Sequence, residues 1–259
     1  MKSYAIVALL AVAGAANAQV SYSGGTYTQN FDSLATTGTA NAWSNNATIP
    51  GWNLFAQPAP GTAITTYRAD DGAGNSGSFY SYGSTGSSDR ALGGLGSGGA
   101  YFGAPVSGAV AGWIAFAATN NTAAALTSVT IGFNGEQWRS GGNTNAQTMV
   151  LEYGFGATFA AVGTWTAPGG LFDWSSPVIG ATAGASNGNV GGLVAGRGGA
   201  IATNWAVGDT LWVRWIEVND VGNDHGLSID NFSLSAVPTP GAAVLMGVAG
   251  LAGLRRRRA

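Results

Sequence analysis

The sequence contains no cysteine, a single histidine and a single lysine, and charged residues make up only 8% of its 259 residues. The absence of cysteine excludes disulfide bonds, thiol nucleophiles and metal sites built on thiolates. A Ser-His-Asp hydrolase would have to use His225, the only histidine of the chain. Histidine-based hydrolysis is therefore not expected.

Basic residues are also scarce in the body of the chain, residues 19–236. This segment holds five arginines and all twelve acidic residues, so its formal net charge is −7. An acidic surface without lysine repels a phosphate backbone. We therefore expect no nucleic-acid partner.

Hydrophobic residues alternate with polar or small ones along several short segments, which is the pattern of half-buried β-strands. Alternation is clearest over 129–133 and 149–155, and further strands are predicted at 51–55, 78–82, 112–117, 211–218 and 227–235. The 43 glycines and the Gly/Ser/Asn clusters between these segments are typical of β-turns. The pattern predicts one all-β domain over 19–236, an antiparallel β-sandwich of jelly-roll type.

Two details of this domain can also be predicted. The Gly-rich segments 92–99 and 180–199 are expected to be connecting loops, because no helix follows that would make either of them a phosphate cradle. Leu227 and Ile229 alternate in one phase and Phe232 and Leu234 in the other, which predicts a β-bulge near residues 230–231.

The N-terminal residues indicate export. A charged start, an apolar stretch over 4–13 and the sequence Ala16-Asn17-Ala18 have the order of a secretory signal peptide and its cleavage site. We expect residues 1–18 to be removed and the mature chain to begin at Gln19.

The C-terminal residues indicate membrane targeting. A proline-containing segment is followed by an uncharged run over 242–254 and then by four arginines; the flanking residues are Val237, Pro238, Thr239 and Pro240, and Arg255, Arg256, Arg257 and Arg258. A helix over 242–254 would be roughly 20 Å long, shorter than the ~30 Å hydrocarbon core of a bilayer. The arginines favour the cytoplasmic side, which leaves the body outside.

This order of features resembles the PEP-CTERM sorting signal of Gram-negative bacteria, which an exosortase-type membrane transpeptidase recognises. Thr239 stands where that family has a glutamate. The resemblance implies that residues 237–259 hold the protein in the membrane by a short hydrophobic helix during sorting, and that the body then lies at the cell surface or in the extracellular matrix. An ordinary anchor without processing is the alternative.

The few charged residues of the body lie in compact groups beside aromatic residues. The predicted ligand set drawn from these groups is Arg90, Glu136, Trp138, Arg139, Trp212, Arg214 and Trp215. On one concave face, the indoles could stack on the sugars of a surface polysaccharide; in a closed interior, the same residues would form a structural network. Arg214 lies on an otherwise apolar strand face, so it should stack on an indole and pair with a carboxylate, Glu136 or Asp89.

The acidic segment 219–231 suggests a second kind of site. Asp220, Asp224 and Asp230 supply the oxygen ligands that calcium prefers, within a Gly-containing turn. Their spacing does not match the EF-hand loop. Calcium is therefore the one cofactor that the sequence suggests.

A succession of short segments along the body resembles an uncharacterised exported β domain of bacterial surface proteins. These segments are Phe31-Asp32-Ser33-Leu34, Gly51-Trp52, Asp89-Arg90-Ala91-Leu92-Gly93, Gly135-Glu136-Gln137-Trp138-Arg139, Leu211-Trp212-Val213-Arg214-Trp215 and Asp224-His225-Gly226-Leu227. The resemblance brings no established activity.

Together these features predict an exported, non-enzymatic protein with a structural or adhesive role at the cell surface. The first alternative is a calcium-dependent carbohydrate-binding module. A less favoured one is a glycosidase with Glu136 and Glu217 as its two carboxylates, although the Glu-x-Asp-x-x-Glu signature of one jelly-roll hydrolase group is absent.

Overall fold

The computed structural model describes residues 19–238, which form an all-β structure. The first sheet contains β1 (Val20–Tyr22), β4 (Trp52–Ala56), β5 (Thr62–Ala63), β9 (Val110–Asn120), β12 (Leu151–Phe155) and β16 (Thr210–Val218). The second contains β2 (Thr26–Gln29), β3 (Asn41–Ala42), β6 (Thr66–Asp70), β7 (Ser78–Tyr82), β8 (Ala91–Leu95), β10 (Leu126–Gly141), β14 (Ala183–Ala185), β15 (Leu193–Trp205) and β17 (Gly226–Pro238). A small ribbon pairs β11 (Thr148–Met149) with β13 (Trp174–Ser175), and 3₁₀ turns occupy Ala100–Phe102, Phe159–Ala161 and Gly170–Phe172.

The strand order of the six-stranded sheet is β12-β16-β9-β4-β5, with β1 beside β9. In the nine-stranded sheet the order is β14-β10-β17-β8-β7-β6-β3, with β15 beside β10 and β2 beside β17. Most pairs are antiparallel, but β1 pairs with β9, and β6 with β7, in parallel. These two parallel pairs are exceptions in an otherwise antiparallel arrangement.

A core rich in aromatic residues fills the space between the two sheets. Trp52 and Trp215 of the six-stranded sheet stack at 5.8 Å, and Phe232 of the nine-stranded sheet meets both rings edge-on. Phe133 also contacts Trp215, at a centroid distance of 5.4 Å. These large rings hold the sheets face to face, so the prediction of a sandwich-like all-β fold is confirmed.

The two Gly-rich segments are not simply loops. Segment 92–99 begins within β8, and segment 180–199 contains β14 and the start of β15. In β8 the glycines permit close packing: a Cβ on Gly93 would overlap Ser228, and one on Gly94 would lie 2.8 Å from the Glu217 carboxyl carbon. Glycine in β8 therefore reflects the close approach of neighbouring strands rather than a turn.

The predicted bulge is present on β17. Gly132 pairs with Ser233 and Asn134 with Asp230, so β17 has an extra residue here, and Asn231 has a φ of +50°. β17 also continues beyond the predicted domain boundary at residue 236, because Val237 pairs with Ser128 of β10.

Gly72 joins the 71–77 loop to β10, and we predict that its replacement by alanine is costly. Its φ is +91°, and a Cβ there would overlap the carbonyl oxygen of Trp138. The added methyl should destabilise the fold by roughly 1–3 kcal/mol more than Gly86→Ala, because Gly86 also has a positive φ but faces open space. Urea unfolding of both variants measures the difference, and equal losses would show that the 71–77 loop can move without cost.

The predicted signal peptide, Thr239, Pro240, the hydrophobic run and Arg255–Arg258 all lie outside the described residues. Within residues 19–238, no helix has the length and apolar character needed to cross a bilayer.

Candidate functional site

The predicted ligand set is dispersed through the sandwich. Glu136 and Trp138 lie on the face of β10 that is turned away from the six-stranded sheet, and Trp215 lies between the two sheets. Trp212 and Arg214 lie on the outer face of the six-stranded sheet. Of the two alternatives that the sequence left open, the structure does not show the single concave face.

Glu136 belongs to a buried pair of carboxyl groups. It is 1% exposed, and its Oε2 accepts a hydrogen bond from the Trp138 indole at 2.9 Å. Asp230 lies diagonally across from it on β17, and Glu136 Oε1 and Asp230 Oδ1 have no hydrogen-bond partner within residues 19–238. Burial raises the pKa of Glu136 to about 7; burial, and then the charge of Glu136, raises the pKa of Asp230 to about 8.

Arg90 and Arg139 bind backbone groups of neighbouring loops and strands. Arg90 is 2% exposed, and its guanidinium donates to the hydroxyl and carbonyl oxygens of Ser81 and to the Asp70 carbonyl. Arg139 donates to the carbonyls of Gly72 and Ala73 at 3.1 and 3.0 Å, which fixes the 71–77 loop. Both arginines are thus occupied by contacts that stabilise the fold.

Arg214, on the outer face of the six-stranded sheet, forms an ion pair with a partner that was not predicted. Its Nε donates to Glu152 Oε2 at 2.7 Å across the β12–β16 pairing, not to Glu136 or Asp89. The guanidinium lies 3.9 Å from the centre of the Trp165 ring, so the predicted indole stacking is present. Trp212, on the same strand face, donates its indole N–H to the Gly156 carbonyl at 2.9 Å.

The three aspartates of the predicted calcium site lie in two different places. Asp220 and Asp224 share a turn, where the Asp220 N–H donates to Asp224 Oδ1 at 2.6 Å. Asp230 lies instead with Glu136 on the outer face of the nine-stranded sheet. In the part of the chain that the structure describes, no group of three or more His, Asp or Glu side chains is arranged to hold a metal ion.

The residues considered for glycoside hydrolysis or for histidine-based hydrolysis do not come together in a catalytic site. Glu217 points into the sandwich against Gly94, whereas Glu136 lies on the other side of the nine-stranded sheet, so the two cannot flank one glycosidic bond. His225 is 1% exposed and its Nδ1 accepts from the Gly141 N–H at 2.9 Å. Ser186 lies within a Gly-x-Ser-x-Gly segment, but its N–H donates to the Trp138 carbonyl and no helix follows it.

An open groove on the outer face of the six-stranded sheet was not predicted from the sequence. It has a volume of about 700 Å³, and its lining includes Asn45, Asn53, Phe55, Thr119, Thr158 and Trp212. The 3₁₀ turn Phe159–Ala161 forms one wall, where Phe159 stacks on Phe55 at 4.2 Å. No charged side chain is among the described residues that line the groove.

The sequence carried only a weak signal for this groove. Its polar residues come from β1, β4, β9 and the 44–46 and 157–160 loops, which lie far apart along the chain. The pairing of β1 and β4 with β9, together with that of β12 and β9 with β16, brings them together. The position of Asn53 opposite Ala115, on an otherwise apolar strand face, is the one local sign of it.

No protein-family model matches this chain, and no curated protein is significantly similar to it.

Proposed function

We propose that the chain is an exported structural or adhesive protein, acting at the cell surface or in the extracellular matrix, with no enzymatic activity. Its body is a jelly-roll-type sandwich that follows a cleaved signal peptide. The PEP-CTERM-like tail passes through an exosortase-type transpeptidase, and its short hydrophobic helix holds the protein in the membrane until it is sorted.

The observation that supports this proposal is that these charged residues bind other groups of the protein or are buried within it. Arg90, Arg139 and Arg214 bind Ser81, the 71–77 loop and Glu152 respectively. Glu136 and Glu217 are buried on different sides of one sheet. Charges committed to such contacts favour a rigid module over a catalyst.

Localisation in a Gram-negative host that has an exosortase tests the proposal. We expect the mature chain to begin at Gln19 and to be found outside the inner membrane, and replacement of Arg255–Arg258 by alanine to retain it in the membrane fraction. The body variant Arg197→Ala is the matched control, because it also removes positive charge but leaves the tail intact. Intact, uncleaved wild-type chain in the cytoplasm would overturn the proposal.

The carbohydrate-binding alternative is retained in a changed form. The dispersed aspartates give no support to calcium dependence, whereas the groove offers a place for a sugar that needs no cation. Contact with surface polysaccharide is therefore compatible with the adhesive role.

A further inference from the structure

We propose that the groove on the outer face of the six-stranded sheet binds a neutral oligosaccharide. This inference rests on the adhesive role proposed above and names the ligand class and the site. The residues involved are not those of the predicted ligand set, apart from Trp212, whose nearly buried ring forms part of the groove lining.

The side-chain amide of Asn53, which lines the groove, is fixed by a bond within the protein. Asn53 is 5% exposed, and its Nδ2 donates to the Gly51 carbonyl at 3.0 Å. Its Oδ1 accepts no hydrogen bond within residues 19–238. A held amide with a spare acceptor can receive a ligand hydroxyl without first losing side-chain freedom.

Side-chain amides that are held by one bond and keep a spare polar atom also lie at the end of the groove formed by β1. Asn121 donates its Nδ2 to Ser21 Oγ at 2.7 Å, and its Oδ1 has no donor among the described residues. The Oε1 of Gln19 accepts from Thr119 and Thr210 at 3.3 and 3.0 Å, while its Nε2 has no acceptor there. The groove thus presents both donors and acceptors, the combination that sugar hydroxyls require.

The apolar part of the lining suits the C–H faces of a sugar ring. Phe55 is partly exposed, and the methyl groups of Ala157 and Ala160 lie on the wall beside it. A volume of about 700 Å³ falls within the range of roughly 300–1,000 Å³ that is usual for ligand pockets. Apolar walls with a few oriented polar groups are the general form of such sites.

The charge of the protein selects against acidic sugars. No described lining residue could neutralise a carboxylate or sulfate group, and the body carries a formal net charge of −7. Uronic acids and sulfated sugars would have to leave water without a counter-charge, which is costly. A neutral hexose or N-acetylhexosamine chain meets no such penalty.

Glycan binding by the full-length protein tests the proposal. The probes are immobilised neutral oligomers of glucose, mannose, galactose, xylose and N-acetylglucosamine, together with oligogalacturonate and hyaluronan fragments. We expect binding to at least one neutral oligomer, without added calcium, and none to the acidic ones. Binding confined to acidic oligomers, or to none of the probes, would overturn the inference.

Two variants place the binding in the groove. Ala157→Trp should fill it and lower affinity by at least about tenfold, and Asn53→Ala should weaken binding by about tenfold through loss of the oriented amide. Ala200→Trp and Asn204→Ala are matched controls on exposed positions of β15 and should bind as the wild type does. Near-ultraviolet circular dichroism checks that each variant is folded.

The result also separates this inference from the proposed function. Unchanged binding by folded Ala157→Trp would refute the groove as the site while leaving the export test untouched. Conversely, a cytoplasmic wild-type protein would refute the export proposal whatever its glycan binding.

Discussion

Thermal unfolding is expected to occur at a lower temperature at pH 9 than at pH 5. Five buried or half-buried carboxyl groups have a raised pKa, in each case mainly because removal from water disfavours their charged form; they are Glu136, Glu217, Asp220, Asp224 and Asp230. A group with a raised pKa binds its proton more tightly in the folded state, so its contribution to stability is complete below the unfolded pKa and is lost as the pH rises through the folded pKa.

The expected effect is large because the shifts are large. Asp230 has a folded pKa of about 8 against a reference of 3.8, so between pH 5 and pH 8 it alone removes on the order of 4 kcal/mol from the free energy of unfolding. In a domain of this size, that corresponds to a fall of roughly 10 °C in Tm. The buried His225 has a lowered pKa and acts in the opposite direction, but only below its reference value of 6.5.

Calorimetry of the wild type and of Asp230→Asn measures this effect. Removing the ionisable group should raise Tm at pH 8.5 and flatten its dependence on pH, because a buried carboxyl group then no longer loses its proton in this range. Asp209→Asn, a change at an exposed position, is the control and should keep the wild-type slope. A Tm that is constant or rises from pH 6.5 to pH 9 would contradict the prediction.

The cluster of Glu136, Trp138 and Asp230, which underlies this pH dependence of stability, could be predicted only in part from the sequence. Glu136 and Trp138 are two residues apart on one strand, so they share a face, and their contact follows from the β-period alone. The nearness of Asp230 depends on the register of β10 against β17 and on the bulge, and the sequence revealed only the bulge. The aspartates were grouped by their closeness along the chain, and the bulge and strand pairing separate them.

The sandwich itself was predictable because its strands carry a clear period of two. This period is clearest at 129–133, within β10, and at 149–155, which includes β12. The Gly-rich parts of β8 and β15 were misread, because glycine that allows close packing has the same sequence pattern as glycine that allows a turn. The groove could not be predicted, since its polar groups come together only through long-range strand pairing, of β1, β4 and β16 with β9 and of β12 with β16.

For Arg214, too, one contact could be predicted from the neighbouring sequence and the other could not. Replacing this arginine should greatly lower the free energy of unfolding. Its stacking on an indole was predicted from the apolar face of β16, but Glu152 was missed because it lies opposite only once β12 pairs with β16. The two side chains are 13% and 18% exposed. Arg214→Met therefore leaves the Glu152 carboxylate largely buried without a counter-charge, and we expect a loss of about 3–5 kcal/mol in the free energy of unfolding.

A second substitution distinguishes the charge of the pair from its packing. Arg214→Met combined with Glu152→Leu should recover most of the loss, because the apolar pair has no unpaired charge and packs against Trp113, Phe159 and Trp165. Arg68→Met is the control for removing an arginine that forms no salt bridge within residues 19–238. Urea unfolding of the wild type, of Arg214→Met, of the double variant and of Arg68→Met gives the four free energies to be compared. If the double variant were as unstable as Arg214→Met, the contact of the guanidinium with the Trp165 ring, rather than its pairing with Glu152, would be the interaction that stabilises this face.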